Sequence, residues 1–398
     1  MSVINQKADI TIAGAGLVGL AAALAFHQAG YDVQLVDAQP PQQQSFSSDD
    51  WDKRIYAISP RNAQWLESLG AWQLLDAARI TEIQAMEIWG DATAVPLQLL
   101  ADDANEDTLG FIVEESALKA ALLKQLETSG VRTTFGQACD AIITNGQNTT
   151  LRLSDQRVIT SSLLLAADGA NSPVRKLLGI STQEKPYHQT AIVANFVTEK
   201  FHDNIARQWF TQDVDGHVGI MAWLPLPENK VSMVWSVSTQ HAENLLKLSA
   251  TEFTQQVMLV GNAMLGNFDL MDEPAAFPLI LKTASQIVRN SAVLVGDAAH
   301  RIHPMAGQGV NLGFRDVIDL LVVLSGRHQF QRVNDATLLK HYARMRKMDL
   351  LNMTALTNGL YHLFDSQHAM LKKVRNWGLD SSKLTVIKKM LVSKAVSL

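Results

Sequence analysis

Cysteine is almost missing from this 398-residue chain, with Cys139 standing alone. A single thiol forms no internal disulfide and builds no thiolate metal cluster, so the chain reads as one made for a reducing compartment. Long apolar runs are missing as well. No stretch approaches the roughly twenty apolar residues that a membrane-spanning helix needs. The N-terminus lacks the basic, apolar and small-residue succession of a secretory signal. The expected location is cytoplasmic, where the Asn148-Thr149-Thr150 sequon is chemically idle. Positive charge is not in excess either: 34 Lys and Arg face 39 Asp and Glu, for a formal net charge of -5. Nucleic acid usually requires a basic field and is not an expected partner.

What is present is apolar material, 47% of the residues, enough to fill two cores in a chain too long for one. Charge is unevenly placed. Between Lys340 and Leu398 eleven Lys and Arg stand against three Asp and Glu, so this tail carries about +8 and the remainder about -13. In the tail Lys372, Lys373, Arg375, Lys383, Lys388, Lys389 and Lys394 interleave with apolar residues such as Leu371, Trp377, Ile387 and Leu391. Such a segment suits either the anionic inner face of a membrane or packing against the body or a second subunit.

The first thirty-seven residues read as strand, tight turn, helix and strand. Asp9 to Ala13 is apolar, Gly14 to Gly19 is the turn, and Leu17, Leu20, Ala21, Leu24 and Ala25 follow at helical spacing up to Gly30. Asp32 to Asp37 is the second strand. Two further apolar strands with glycine exits, Leu163 to Ala167 and Ala292 to Gly296, come much later, which predicts one sheet assembled from distant pieces of chain. Between them Thr190–Val197, Val218–Leu226 and Val231–Val237 are β-rich. In the last, Val231, Met233, Trp235 and Val237 share one face and Ser232, Ser236 and Ser238 the other, the pattern of a sheet with one covered face. The fold class is therefore α/β, with an inserted, mainly antiparallel domain and a helical C-terminus. Gln39 to Asp52 reads as a mobile loop.

Gly14-Ala15-Gly16-Leu17-Val18-Gly19 has the strand before it and the helix after it that give this spacing meaning. Gly14 permits the turn, Gly16 lets a pyrophosphate approach the backbone, and Gly19 lets helix and strand pack closely, while the helix N-terminus offers free N–H groups to the anion. Asp37 ends the second strand where a carboxylate accepts hydrogen bonds from a ribose diol and repels a 2′-phosphate, which points to FAD or NAD rather than NADP.

Ala292 to His300 then runs as a strand into Gly296-Asp297, followed by Pro304-Met305-Ala306-Gly307-Gln308-Gly309-Val310-Asn311-Leu312-Gly313. Here the sequence resembles the FAD-dependent aromatic hydroxylases, and within them the ubiquinone-biosynthesis hydroxylase family. Leu164 to Arg175, with Asp168-Gly169, is similar to the Asp-Gly motif of the same enzymes, and Asp52-Lys53-Arg54 stands where they carry a cofactor-contacting Arg. The resemblance covers nearly the whole chain. It implies a Rossmann-like FAD-binding domain of the p-hydroxybenzoate-hydroxylase type, made from 1–75, 100–182 and 284–330. The inserted substrate domain would comprise 76–99 and 183–283, and the C-terminal helical region 331–398.

The resemblance also implies site residues. Asp297 would bind the FAD ribitol. Gly307, Gln308 and Gly309 would lie against the isoalloxazine, with Pro304 and Asn311 of the same stretch at the cofactor. Asp168 would serve the pyrophosphate and the use of NADH or NADPH, and Arg54 would contact FAD. A helix N-terminus beside the ring would stabilise the negative charge of reduced flavin. The implied chemistry is reduction of FAD by NAD(P)H, reaction with O₂ to a C4a-hydroperoxide, and oxygen transfer to an electron-rich ring.

No catalytic base can be named, and no Ser-His-Asp order, thiol pair or carboxylate pair suggests chemistry apart from a cofactor. His300 and His303 lie three apart without an evident third ligand, so no metal is expected, and His303 is a candidate for the flavin pocket. Trp209, Trp223 and Trp235 read either as core or as walls of a substrate cavity. Cys139 reads as an apolar filler. Three functions fit: a hydroxylase of a prenylated phenol or quinol, a hydroxylase of a small soluble aromatic, and a non-catalytic flavoprotein of a quinone-biosynthesis assembly. Association with other quinone-biosynthesis proteins and self-association suit the first and third.

Overall fold

Strands more than a hundred residues apart in sequence lie side by side. The computed structural model describes residues 5–41, 51–90, 96–213, 216–301 and 309–365. Its first sheet runs in the order Val288–Arg289, Ala292–Leu294, Val158–Ala166, Asn5–Ala13, Val33–Asp37 and Arg132–Phe135, and all neighbours after the first pair are parallel. The hairpin Cys139–Thr144 and Thr149–Leu153 extends it antiparallel to Val158–Ala166. Parallel strands are covered on both faces and so read as continuous apolar runs. Ile10, Thr11, Ile12 and Leu163 to Ala166 are fully buried. Helix Leu17–Gln28 packs on one face between helices Glu115–Ser129 and Gly309–Ser325, which explains why it is apolar around nearly its whole circumference.

Register decides where the site falls. Ala13 pairs with Ala166 and with Val36, and Ala166 pairs with Leu294. The turns at Gly14, Asp168 and Gly296, and the strand end at Asp37, therefore emerge together at the carboxyl edge of the sheet, where open α/β sheets bind ligands.

The second sheet runs His300–Arg301, Ala275–Ala284, Thr182–Thr198, Lys230–Ser238, Val218–Leu226, Ile205–Gln212, Ala85–Trp89 and Leu97–Leu100, with Phe268–Leu270 added beside Thr182–Thr198. It is antiparallel except between Ile205–Gln212 and Ala85–Trp89. Side-chain alternation sends Ile192, Phe196, Met221, Trp223, Met233 and Trp235 to one face, under Leu245, Phe253 and Val257 of helices Thr239–Leu245 and Ala250–Val260. The expectation of a single covered face is corrected here. Ser232 and Ser236 on the opposite face are 1% and 4% exposed, because that face looks onto the cavity and the segment at Asp52 rather than bulk water.

Two short pairings cross the expected domain boundaries. His300–Arg301, just past the Gly-Asp turn, joins the second sheet, and Thr81–Glu82 joins Phe111–Glu114 and Ile55–Ile58 in a small third sheet. At the C-terminus, helix Ala336–Asp365 packs on Gly309–Ser325. Among the described residues no helix is long and apolar enough to cross a membrane. The basic tail from 366 onward and most of the Gln39–Asp52 segment, residues 42–50, lie outside the described residues.

Candidate active site

The glycine turn is set by close approach. Gly14 has φ +106°, and a Cβ there would stand 2.4 Å from the Ala167 carbonyl oxygen; one on Gly19 would stand 1.9 Å from the Gly14 carbonyl oxygen. Neither position tolerates a side chain. At Gly16 the same Cβ would meet nothing within 4 Å. Open space thus lies against the backbone at the N-terminus of helix Leu17–Gln28, where no side chain caps the first N–H groups. This is the cradle an anion requires. Asp37 braces the turn from the neighbouring strand: its Oδ2 accepts from Ala15 N–H at 2.5 Å and its Oδ1 from Gln39 N–H at 2.7 Å. Carboxylate oxygens carry further lone pairs, so a ribose diol remains compatible with both bonds.

The Asp168 carboxylate is committed to its own loop. It accepts from the Ser172 hydroxyl and, at 2.9 Å, from Val174 N–H at the start of helix Pro173–Leu177. Burial raises its pKa against these hydrogen bonds. Arg175, 2% exposed, ties this loop to the Gly-Asp turn, donating to Ala170 O at 2.8 Å and Ala298 O at 2.7 Å. The backbone around Asp168, at Ala167, Gly169 and Ala170, lines the cavity described next.

That cavity, about 590 Å³, lies between the carboxyl edge of the first sheet and the inner face of the second. Asp297 faces it and makes no side-chain hydrogen bond among the described residues. Its accessible surface opens into the cavity while protein surrounds it, so burial raises its pKa, opposed by Arg301, His300 and Arg54. Arg301 and Gly309 also line the cavity, on either side of 302–308. Pro304, Gly307, Gln308 and His303 lie outside the described residues. A Cβ on Gly309 would again meet nothing within 4 Å, leaving room at the start of helix Gly309–Ser325.

Lys53, Arg54, Glu115 and Phe277 border both this cavity and a second of about 900 Å³ beside helix Glu115–Ser129 and strand Arg132–Phe135. Phe135 pairs with Asp37, which places the larger cavity at the ribose end of the glycine turn. Adjoining cavities, an open glycine cradle and an unpartnered carboxylate fit an extended dinucleotide such as FAD. At the junction Arg54 Nη1 lies 3.2 Å from Glu115 Oε2, and the Tyr56 hydroxyl donates to the same oxygen at 3.5 Å. Burial, then Glu115 and Asp297, raise the Tyr56 pKa, so the phenol stays protonated at neutral pH. Sequence reasoning passed over Tyr56 and Glu115, which belong to no glycine motif.

The Asn311 side chain is committed to protein partners. Its Nδ2 donates to Ala57 O at 2.7 Å and its Oδ1 accepts from Ser59 N–H and from Asn62 Nδ2, so the side chain is spent joining its helix to the segment after Ile55–Ile58. His300 is likewise accounted for, its Nε2 donating to Asp316 Oδ2 at 2.8 Å. Trp209, Trp223 and Trp235 do not wall the cavity: they are core on the far face of the second sheet, with Trp209 stacked on Trp89 at 4.9 Å. On the cavity side the same strands present Ala206, Gln208, Ile220, Ala222, Leu224, Val234 and Ser236. Burial pushes the Cys139 thiol up to about 12, with Asp168 and Asp140 adding to the effect, which suits a filler rather than a nucleophile.

The FAD binding domain family matches residues 7–353. The chain is 32% identical to 3-demethoxyubiquinol 3-hydroxylase of Escherichia coli K12, over 99% of this chain and 100% of that protein. It is 30% identical to human mitochondrial ubiquinone biosynthesis monooxygenase COQ6, over 94% and 89%. The chain belongs to the family of FAD-dependent ubiquinone-biosynthesis hydroxylases. Ubiquinone hydroxylase UbiL of Rhodospirillum rubrum is a further relative of this hydroxylase, 31% identical over 95% of this chain and 86% of its own. Solved structures share its fold. p-Nitrophenol 4-monooxygenase PnpA of Pseudomonas putida superimposes with TM-score 0.74 at 16% identity, covering 99% of both chains. Klebsiella pneumoniae HpxO complexed with FAD and uric acid gives 0.74 at 16%, covering 98% of this chain and 97% of that one. The hydroxylase is thus an FAD-dependent aromatic monooxygenase with the fold of the p-hydroxybenzoate-hydroxylase type.

Proposed function

We propose that this enzyme hydroxylates the aromatic ring of a polyprenylated phenol or quinol on the way to ubiquinone, using NADH or NADPH and O₂. One observation carries the reading: the turns at Gly14, Asp168 and Gly296 meet a largely apolar-walled cavity whose opposite wall is a separate sheet. Bound FAD would supply electron transfer from the nicotinamide and activation of O₂. Gly16 and the first turn of helix Leu17–Gln28 would hold the pyrophosphate, Asp37 the ribose and Asp297 the ribitol, with Arg54 and Tyr56 where the two cavities join. Gly307, Gln308 and the N-terminus of helix Gly309–Ser325 would stabilise charge on the ring system.

The second sheet would exclude water and hold the substrate. Ile220, Leu224, Val234 and Leu279 make the cavity wall apolar, which protects a reactive oxygen donor and accepts a lipid-like ring. The basic tail would keep the enzyme at the inner face of the membrane, where a polyprenylated substrate resides.

Deleting the gene in its host and extracting the membrane lipids tests the reading. Mass spectrometry should show a prenylated ring lacking one hydroxyl. An unchanged quinone pool in a host without a redundant hydroxylase would overturn it.

A further inference from the structure

On strands Ile205–Gln212 and Lys230–Ser238 the second sheet presents three polar residues to the cavity, Arg207, Gln208 and Ser236, among apolar ones. Arg207 is already satisfied: its Nε lies 3.1 Å from Glu87 Oε2, its Nη1 donates to His202 O at 3.0 Å, and Glu87 takes a second bond from Gln98. Gln208 and Ser236 have no side-chain hydrogen bond among the described residues, and Ser236 is 4% exposed. Polar groups set into an apolar wall cost free energy until a partner is supplied.

Their placement defines the partner. Gln208 pairs with Ala222, Ala222 with Val234, and Ser236 follows Val234 by two residues on the same face, beside Ala191. Two strand spacings across and two residues along put their Cα atoms roughly 12 Å apart. Alanines at 191, 206 and 222 leave a shallow floor between and beside them. One flat ring can lie on that floor with an oxygen substituent hydrogen-bonded at each end, at about 2.8 Å per bond.

Resting on the hydroxylase reading above, we propose that Gln208 and Ser236 are the positioning residues for the substrate ring, binding its hydroxyl or carbonyl oxygens and so fixing which ring carbon faces the flavin. A neutral amide and a hydroxyl both donate and accept without taking a proton away, so they orient the ring and leave its ionisation unchanged. The pair suits uncharged, oxygen-substituted rings, and Arg207, the cation next to Gln208 on its strand, is held by Glu87.

The test uses the FAD-loaded full-length enzyme, a prenylated phenol, and the methyl ether of that phenol. Binding is read from the flavin absorbance change, and coupling from hydroxylated product formed per NAD(P)H oxidised. The wild type should bind the free phenol better than its ether. Gln208→Leu should weaken phenol binding about 10-fold, erase most of the preference over the ether and divert turnover to hydrogen peroxide. Ser236→Ala should act in the same direction with a smaller loss. FAD content and the rate of flavin reduction without substrate should stay at the wild-type level, and Gln208→Met gives a second apolar replacement if Gln208→Leu loses FAD. Wild-type preference and coupling in all these variants would overturn the proposal while leaving the hydroxylase reading intact. A wild type that binds and hydroxylates no phenol would remove that reading, and this proposal with it.

Discussion

A carboxylate that faces a cavity with no hydrogen-bond partner among the described residues is free to accept from a ligand's hydroxyl groups. Asp297 is in that position, so Asp297→Ala should lower FAD affinity roughly 10- to 100-fold, the worth of a hydrogen bond to a charged group. Titrating the apoprotein with FAD measures it, and an affinity within twofold of wild type would remove Asp297 from the site. Cys139 offers a second test. With its thiol pushed up to about 12, only about one molecule in ten thousand carries a thiolate at pH 8, so a thiol reagent should label the native protein slowly and the unfolded protein at once. Rapid stoichiometric labelling of the native enzyme would contradict that burial. The close approach at Gly14 and Gly19 and the open space at Gly16 were legible in the sequence because steric room reduces to residue type, whereas Asp297 was singled out by family resemblance. Asp168 and Asn311 were legible as motif members, but not in what their side chains do: Asp168 folds its own loop, and Asn311 ties its helix to Ala57 and Ser59, 254 and 252 residues away in sequence. Gln208 and Ser236 were hidden, because a polar residue alternating with apolar ones along a strand looks the same whether it faces water or a cavity.

Among the elements, the C-terminal helices brace the Gly-Asp turn through a buried charge network. Asp316 accepts from Gly296 N–H and His300 on one oxygen and from Arg346 on the other, while Arg346 also meets Asp319 and Asp349. Burial alone would raise the Asp316 pKa, but His300 and Arg346 outweigh it and lower it. A carboxylate lowered on folding contributes stability above its unfolded pKa of about 4, lost as pH falls through the folded value. Acid should therefore loosen this corner below about pH 4. Arg346→Met should cost about 3–5 kcal/mol in urea unfolding at neutral pH, because it strands buried Asp316 without its cation. A loss under about 1 kcal/mol would show that His300 and Gly296 suffice. The helix Gly309–Ser325 was foreseeable from the glycine loop before it; its tie to Arg346 was not, because the partners lie thirty residues apart and neither belongs to a motif.

At the scale of the whole molecule, the sheet built from distant strands was readable because each strand ends in a glycine turn. Residues such as Ala13, Ala166 and Leu294 then align in register. The closeness of the two sheets was not readable, which is why the serine face of Lys230–Ser238 looked uncovered. A cofactor lying between two sheets should stabilise both, so saturating FAD should raise the melting temperature as its free concentration rises above the dissociation constant. An unchanged melting temperature at a hundredfold excess would mean that FAD does not bind the native fold.

Hydroxylation of a prenylated ring by this chain is most directly tested with purified enzyme, FAD, NADH or NADPH, a prenylated phenol and isotopically labelled O₂. The expected product carries one labelled oxygen on the ring, with turnover that stops when either the nicotinamide or O₂ is withheld. A product whose new oxygen comes from water, or nicotinamide oxidation without any ring product across a panel of phenols, would contradict the assignment.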